Sequence, residues 1–124
     1  MVYIKSYKEL IVWQKAMELA KAIFELTACF PKSELYGLVS QMRRAVVSIV
    51  SNIAEGYGRK SRKEYSQFYA IAYGSALELE TQLILSKALK MASEEKFEKS
   101  EKLLLEVLKM LNYFTNKLNA RRDI

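Results

Sequence analysis

The sequence predicts an all-α fold, an antiparallel up-and-down four-helix bundle, on three observations. The composition is 51% hydrophobic with four glycines and one proline in 124 residues, too apolar for disorder and too poor in turn formers for a many-stranded fold. Apolar residues recur at three- and four-residue spacing through four long segments, the period of a helix face. Those segments, about 9–28, 34–56, 62–91 and 94–119, are joined by short links that force neighbours to run antiparallel. Residues 1–124 form a single domain, with enough core to need no disulfide. An extended helical hairpin that completes its core only in an oligomer is the alternative architecture.

The first segment aligns Trp13, Met17, Ala20, Phe24 and Thr27 on one face. Phe30-Pro31 closes it, because the residue before a proline is pushed out of the helical region. Ser33 is placed to cap the second helix, whose stripe is Leu35, Leu38, Met42, Val46, Ile49 and Ile53 and whose exit is Gly56-Tyr57-Gly58. The third opens on a capping box, Ser61-Arg62-Lys63-Glu64, in which the hydroxyl accepts the Glu64 amide and the carboxylate returns the bond. Tyr65, Phe68 or Tyr69, Ala72, Ala76, Leu79, Leu83 and Leu89 continue its stripe. After a link at Ala92-Ser93 the fourth helix carries Phe97, Leu104, Leu108, Leu111, Thr115 and Leu118, with Leu103, Val107, Met110 and Phe114 beside them. The tail from Ala120 to Ile124 is expected to be loose.

Absences restrict the chemistry. Without histidine there is no Ser-His-acid triad or Cys-His pair, and the commonest metal ligand is missing. The only aspartate is Asp123, next to last. Cys29, beside Phe30 and Pro31, reads as a small buried hydrophobe. An enzyme would have to work through glutamates such as Glu55, Glu78 and Glu80 converging on a metal, and nothing in their spacing points to that. The expectation is therefore no catalytic residue, no cofactor and no metal. No uncharged run approaches the ~20 residues that cross a bilayer, and no leader is visible at the amino terminus. A cytoplasmic protein without a membrane partner is expected.

The charge is unevenly distributed. Of a net +6, the block from Leu35 to Lys63 supplies +5, from Arg43, Arg44, Arg59, Lys60, Arg62 and Lys63 against Glu55. Four of these six are arginines, whose planar fork of donors suits phosphate oxygens. The last four occupy the second link and the first turn of the third helix, where cations oppose the helix dipole and an anionic partner would relieve the conflict. A solvated basic link is the plain reading, and an RNA or DNA contact is the functional one. Tyr57 and Tyr65 flank the cluster, placed either to stack on bases or to pack on the bundle. Glu55 stands four residues before Arg59, a spacing that permits a surface ion pair.

The runs Ala45–Ala54 and Phe68–Leu77 are apolar in several directions, more than one helix face can bury, which predicts self-association through residues such as Val47 and Ile71. Gly74, in mid-helix, suggests a close backbone approach. Asn52, Glu55 and Gly56 mark a structural corner or subunit contact at the exit of the second helix.

Several of these segments, Leu10-Ile11-Val12-Trp13-Gln14-Lys15-Ala16, Phe30 to Leu38, Gln41 to Ile49, Ser51 to Arg59, Glu64-Tyr65 and Gly74 to Glu80, closely resemble the bacterial four-helix-bundle proteins encoded in intervening sequences of large-subunit ribosomal RNA genes. The resemblance covers nearly the whole chain and weakens after Ala92. Val50 departs from it, since members commonly carry proline there. The resemblance implies a bundle that assembles into a ring-like homo-oligomer, a pentamer, and it implies likeness to the accessory protein of diversity-generating retroelements, a basic barrel that binds nucleic acid and partners a reverse transcriptase. Carried over, Arg43, Arg44, Arg59, Lys60, Arg62 and Lys63 become the phosphate contacts. A non-catalytic nucleic-acid-binding oligomer is the resulting expectation, with a scaffold or accessory subunit for a partner enzyme as its alternative.

Overall fold

The computed structural model describes residues 5–122, with side chains through Asn116. A 3-10 turn, Tyr7–Glu9, leads into α1 (Ile11–Thr27), followed by α2 (Ser40–Tyr57), α3 (Arg62–Ala88) and α4 (Glu94–Arg122). Contacts run α1 to α2, α2 to α3, α3 to α4 and α4 back to α1, the cyclic adjacency of an up-and-down four-helix bundle.

The stripes of α2 and α3 bury as their periods predict except at their ends, where Leu35 and Leu89 are exposed and Leu38 and Tyr65 half-buried. Met42, Val46, Ile49 and Ile53 from α2 meet Tyr69, Ala72, Ala76, Leu79 and Leu83 from α3, and Phe97, Leu104, Val107, Leu108 and Leu111 of α4 complete that core. α1 differs by one position from its expected face. Val12, Ala16, Leu19, Ala22, Ile23 and Leu26 are buried, as is Thr27 from the expected face, whereas Trp13, Met17 and Ala20 are half-buried and Phe24 is exposed. Two apolar stripes lie side by side on this helix, and spacing alone does not choose between them.

The entry to α2 departs further from expectation. Ser33 caps nothing: it sits inside a 3-10 turn, Lys32–Glu34, whose first cap is Pro31. A wide helical turn, Leu35–Val39, follows, broken at Gly37 (φ −109°, ψ −114°), and only then does α2 begin. Leu35 is consequently exposed rather than in the core. The chain between α1 and α2 thus turns in two steps, with Phe30 buried against Phe97 at a ring separation of 6.0 Å. Cys29 is exposed, not buried, because it lies past the end of α1. Its Sγ stands 3.5 Å from Lys96 Nζ.

Ser61 caps α3 as predicted, accepting from the Glu64 amide at 3.1 Å, although no returning bond from the Glu64 carboxylate accompanies it. α3 stops at Ala88, three residues early, leaving Leu89 exposed. Lys90 takes a left-handed φ of 57°, and the amides of Lys90 and Met91 return to the carbonyls of Lys87 and Ser86 at 3.0 Å each, a Schellman closure. α4 continues to Arg122, so residues 120–122 are helical rather than loose. Asp123, Ile124 and the side chain of Leu118 lie outside the described residues. No helix among the described residues is long and apolar enough to cross a membrane.

Candidate nucleic-acid interface

The six basic residues of the central block do not form one patch. α2 has 18 residues, about 27 Å at 1.5 Å per residue. Arg43 and Arg44 stand at its start, while Arg59, Lys60, Arg62 and Lys63 lie beyond its end, so the two groups occupy opposite ends of the bundle. Arg43 is engaged within the fold. Its Nε donates to Thr27 Oγ1 at 3.0 Å, Nη2 donates to the Phe24 carbonyl at 3.4 Å, and the guanidinium lies 4.7 Å from the centre of the Phe24 ring. Arg44 is exposed beside it.

The Gly58–Ser61 end is built differently. α2 ends with the Gly58 and Arg59 amides bonded to Glu55 and Gly56 carbonyls at 3.1 Å, and the chain re-enters helix at Arg62. Arg59, Lys60, Ser61, Arg62 and Tyr65 line an open depression of about 290 Å³. Arg59 forms no ion pair with Glu55; its guanidinium instead lies 4.6 Å from the centre of the Phe68 ring. That platform orients the arginine without neutralising it. Tyr65 donates to Tyr69 at 3.1 Å and meets it edge-on at 4.7 Å, and Tyr69 stacks on Phe114 of α4 at 5.8 Å. Tyr65 therefore both packs on the bundle and lines the depression; Tyr57 is half-buried.

Antiparallel packing brings further charge to this end. The 3-10 turn with Lys8, preceded by Lys5, packs against α2, and the last turns of α4, whose sequence includes Lys117, Arg121 and Arg122, run to the same end. Cutting each helix at its midpoint, the half containing residues 5–18, 49–74 and 109–122 has 11 basic and 4 acidic residues, a net +7. The other half, residues 19–48 and 75–108, has 9 of each. The positive charge of the chain thus collects at one end. Lys5, Lys8 and the carboxyl-terminal cations are distant from the block in sequence, and the short links, which fix which helix ends meet, bring their segments to the same end.

The other singled-out residues fall into place around α2 and α3. Val47 is 48% exposed and Ile71 51% exposed, both outside the core. Asn52 is half-buried and donates to the Ser48 carbonyl at 2.8 Å and to Ser48 Oγ at 3.1 Å; Ser48 in turn bonds Ser75 of α3 at 2.9 Å. Glu55 is exposed. Within the chain the close helix approach is at Gly56, where a Cβ would lie 3.0 Å from Phe68 Cβ, while the space around Gly74 is open. No group of three His, Cys, Asp or Glu side chains among the described residues is arranged to hold a metal ion, so Glu55, Glu78 and Glu80 do not converge on one.

The model of the 23S rRNA-intervening sequence protein family matches residues 8–113. The chain belongs to that family. A solved structure from Bacteroides thetaiotaomicron, described as a protein with unknown function from the S23 ribosomal protein family, superposes with a TM-score of 0.75 at 24% identity, covering 85% of this chain and 98% of that one. At that identity the likeness concerns the fold. No curated protein matches the chain.

Proposed function

We propose that this intervening-sequence protein is a non-catalytic nucleic-acid-binding protein that contacts phosphates through the basic end of its bundle. The observation that carries the reading is the net +7 of that half against zero in the other, centred on Arg59, Lys60, Arg62 and Lys63. The family's name adds an RNA-associated context. Phosphate contacts position a polyanion without reading bases, so little sequence preference follows. Arg43 is set apart from this set by its bonds to α1, and Arg44 lies with it at the far end.

The same reading includes self-association. Val47 and Ile71 expose apolar surface that a second copy would cover, and a ring, five-membered as the family resemblance implies, would set several basic ends around one axis. Multivalency then raises affinity without any new contact. A role as accessory subunit to a nucleic-acid enzyme is compatible with the same surface.

Titration of labelled structured RNA at several salt concentrations tests the proposal. Affinity is expected to fall steeply with salt, and each phosphate contact removed by Arg59→Ala or Arg62→Ala lowers the slope of log K against log salt by about 1. Binding that is absent at low salt, or indifferent to salt, overturns it.

A further inference from the structure

Away from the basic end, α3 and α4 enclose a groove of about 210 Å³ lined by Glu80, Leu83, Ile84, Glu101, Leu104 and Leu105. Its apolar surface is open: Ile84 is 66% exposed and Leu105 52%. Leu77, seven residues before Ile84 and so on the same face of α3, is exposed as well and lengthens the apolar strip by two turns. Clustered exposed apolar side chains with a polar rim are the mark of a contact surface.

The rim is acidic. On α4, Glu94, Glu98, Glu101 and Leu105 follow at steps of four, three and four residues, which places them on one face. Glu101 and Leu105 line the groove, so the exposed Glu94 and Glu98 extend the same wall, with Glu80 opposite on α3. Lys87 faces them from α3, its Nζ donating to the two Glu101 oxygens at 3.2 and 3.1 Å, and the exposed Lys102 and Lys109 stand four residues beyond Glu98 and Leu105 at the outer edge of the α4 wall. Both partners of that pair are more than a third exposed, so the pair contributes little and can be exchanged for a better donor.

We infer that this groove docks a basic amphipathic helix of another protein. Leucine-sized side chains at i, i+3 or i+4, and i+7 of such a helix cover Leu77, Ile84 and Leu105, while flanking lysines or arginines meet Glu80, Glu94, Glu98 and Glu101. Charge complementarity selects this partner, since an acidic helix would face Glu80, Glu94 and Glu98, which form no ion pair among the described residues. The residues involved are separate from those proposed to contact nucleic acid, so either proposal can fail alone.

The probe is a labelled helical peptide of about five turns, made of leucine and lysine in amphipathic order, followed by fluorescence anisotropy. A scrambled peptide of the same composition removes the apolar face, and a glutamate-for-lysine peptide reverses the charge. The amphipathic basic peptide is expected to bind at least about tenfold tighter than either control. Ile84→Lys and Leu105→Lys are each expected to weaken it about tenfold, and the exposed-site variant Glu98→Lys about threefold, with far-UV circular dichroism and RNA binding unchanged. Absence of binding, equal binding of a control, or wild-type binding by the groove variants overturns the proposal. So does an Ile84→Lys variant that splits an oligomer in light scattering while the peptide fails to bind, because the groove is then a contact between copies.

Discussion

Arg43 on α2 and Thr27 on α1 are joined by a 3.0 Å bond from Nε to Oγ1, while the same hydroxyl donates to the Ile23 carbonyl at 2.7 Å inside the buried edge of α1. The arginine therefore ties two helices together. Replacing Arg43 by alanine is expected to lower unfolding free energy by about 1–2 kcal/mol, the loss of a charge-assisted bond at a part-buried site, and to leave RNA affinity and its salt slope near wild type. Urea denaturation and RNA titration of the same variant check both halves. A stable variant with a reduced salt slope would return Arg43 to the phosphate-binding set.

Two glycines that look alike in sequence should respond oppositely to alanine. At Gly56 the added methyl would stand 3.0 Å from Phe68 Cβ and 3.6 Å from the Tyr65 carbonyl, so α2 and α3 must part, and about 1–3 kcal/mol of destabilisation is expected. At Gly74 nothing lies within 4 Å. Gly74→Ala gains the helix preference of alanine, about 1 kcal/mol of stability. Thermal and urea unfolding of the two variants decides this. A Gly74→Ala variant with higher protomer stability but weaker association would place the close approach between copies.

How far the fold could be read ahead differs by helix, for physical reasons. In α2 the stripe Met42, Val46, Ile49 and Ile53 carries the largest aliphatic side chains, and all four are fully buried as their period demands. In α1 the pairs Val12-Trp13, Ala16-Met17, Leu19-Ala20 and Ile23-Phe24 offer two adjacent stripes, and the face is selected by α4 and α2, which no local pattern encodes. Gly37 interrupts a segment whose neighbours all tolerate a helix, so the late start of α2 was hidden. The basic block misled in a different way. Its residues lie close as text, but Arg43 is in the first turn of α2 and Arg59 lies beyond its end, so most of the helix's length separates them, whereas Lys8 and Arg62, far apart in the chain, share one end.

Val47 and Ile71 carry the assembly expectation, and both are about half exposed in the single chain. Glutamate at either position meets water in a monomer and costs little, but in a dry contact it leaves an unpaired charge. Val47→Glu or Ile71→Glu is therefore expected to lower the assembled mass while the far-UV spectrum stays helical. Both positions need testing, since one contact surface need not use both helices. Light scattering coupled to size exclusion reads the outcome. A wild-type mass of 14.3 kDa at micromolar concentration would mean a monomer and would end the multivalent part of the binding proposal.

The aromatic cluster at the basic end is expected to make stability fall in alkali. Burial, and then the neighbouring Tyr65 hydroxyl, hold the Tyr69 phenol protonated well above its ordinary value of 10. In the unfolded chain Tyr69 ionises near that ordinary value, so above about pH 10 the unfolded state binds fewer protons than the folded one and stability declines as pH rises, by up to about 1.4 kcal/mol per unit for one proton. Lys15 acts in the same direction. Its bond to Glu106 at 3.1 Å raises its pKa, and the stabilisation present below the ordinary lysine value is lost as pH climbs through the raised one; the group is exposed, so this share is small. Tyr69→Phe removes the unfolded-state ionisation and with it the tyrosine part of the slope. Urea midpoints at about pH 8 and about pH 11 are expected to differ less in Tyr69→Phe than in wild type. A parallel decline in the two proteins would show that Tyr69 ionises as readily folded as unfolded, and that the Tyr65–Tyr69–Phe114 cluster is open to water.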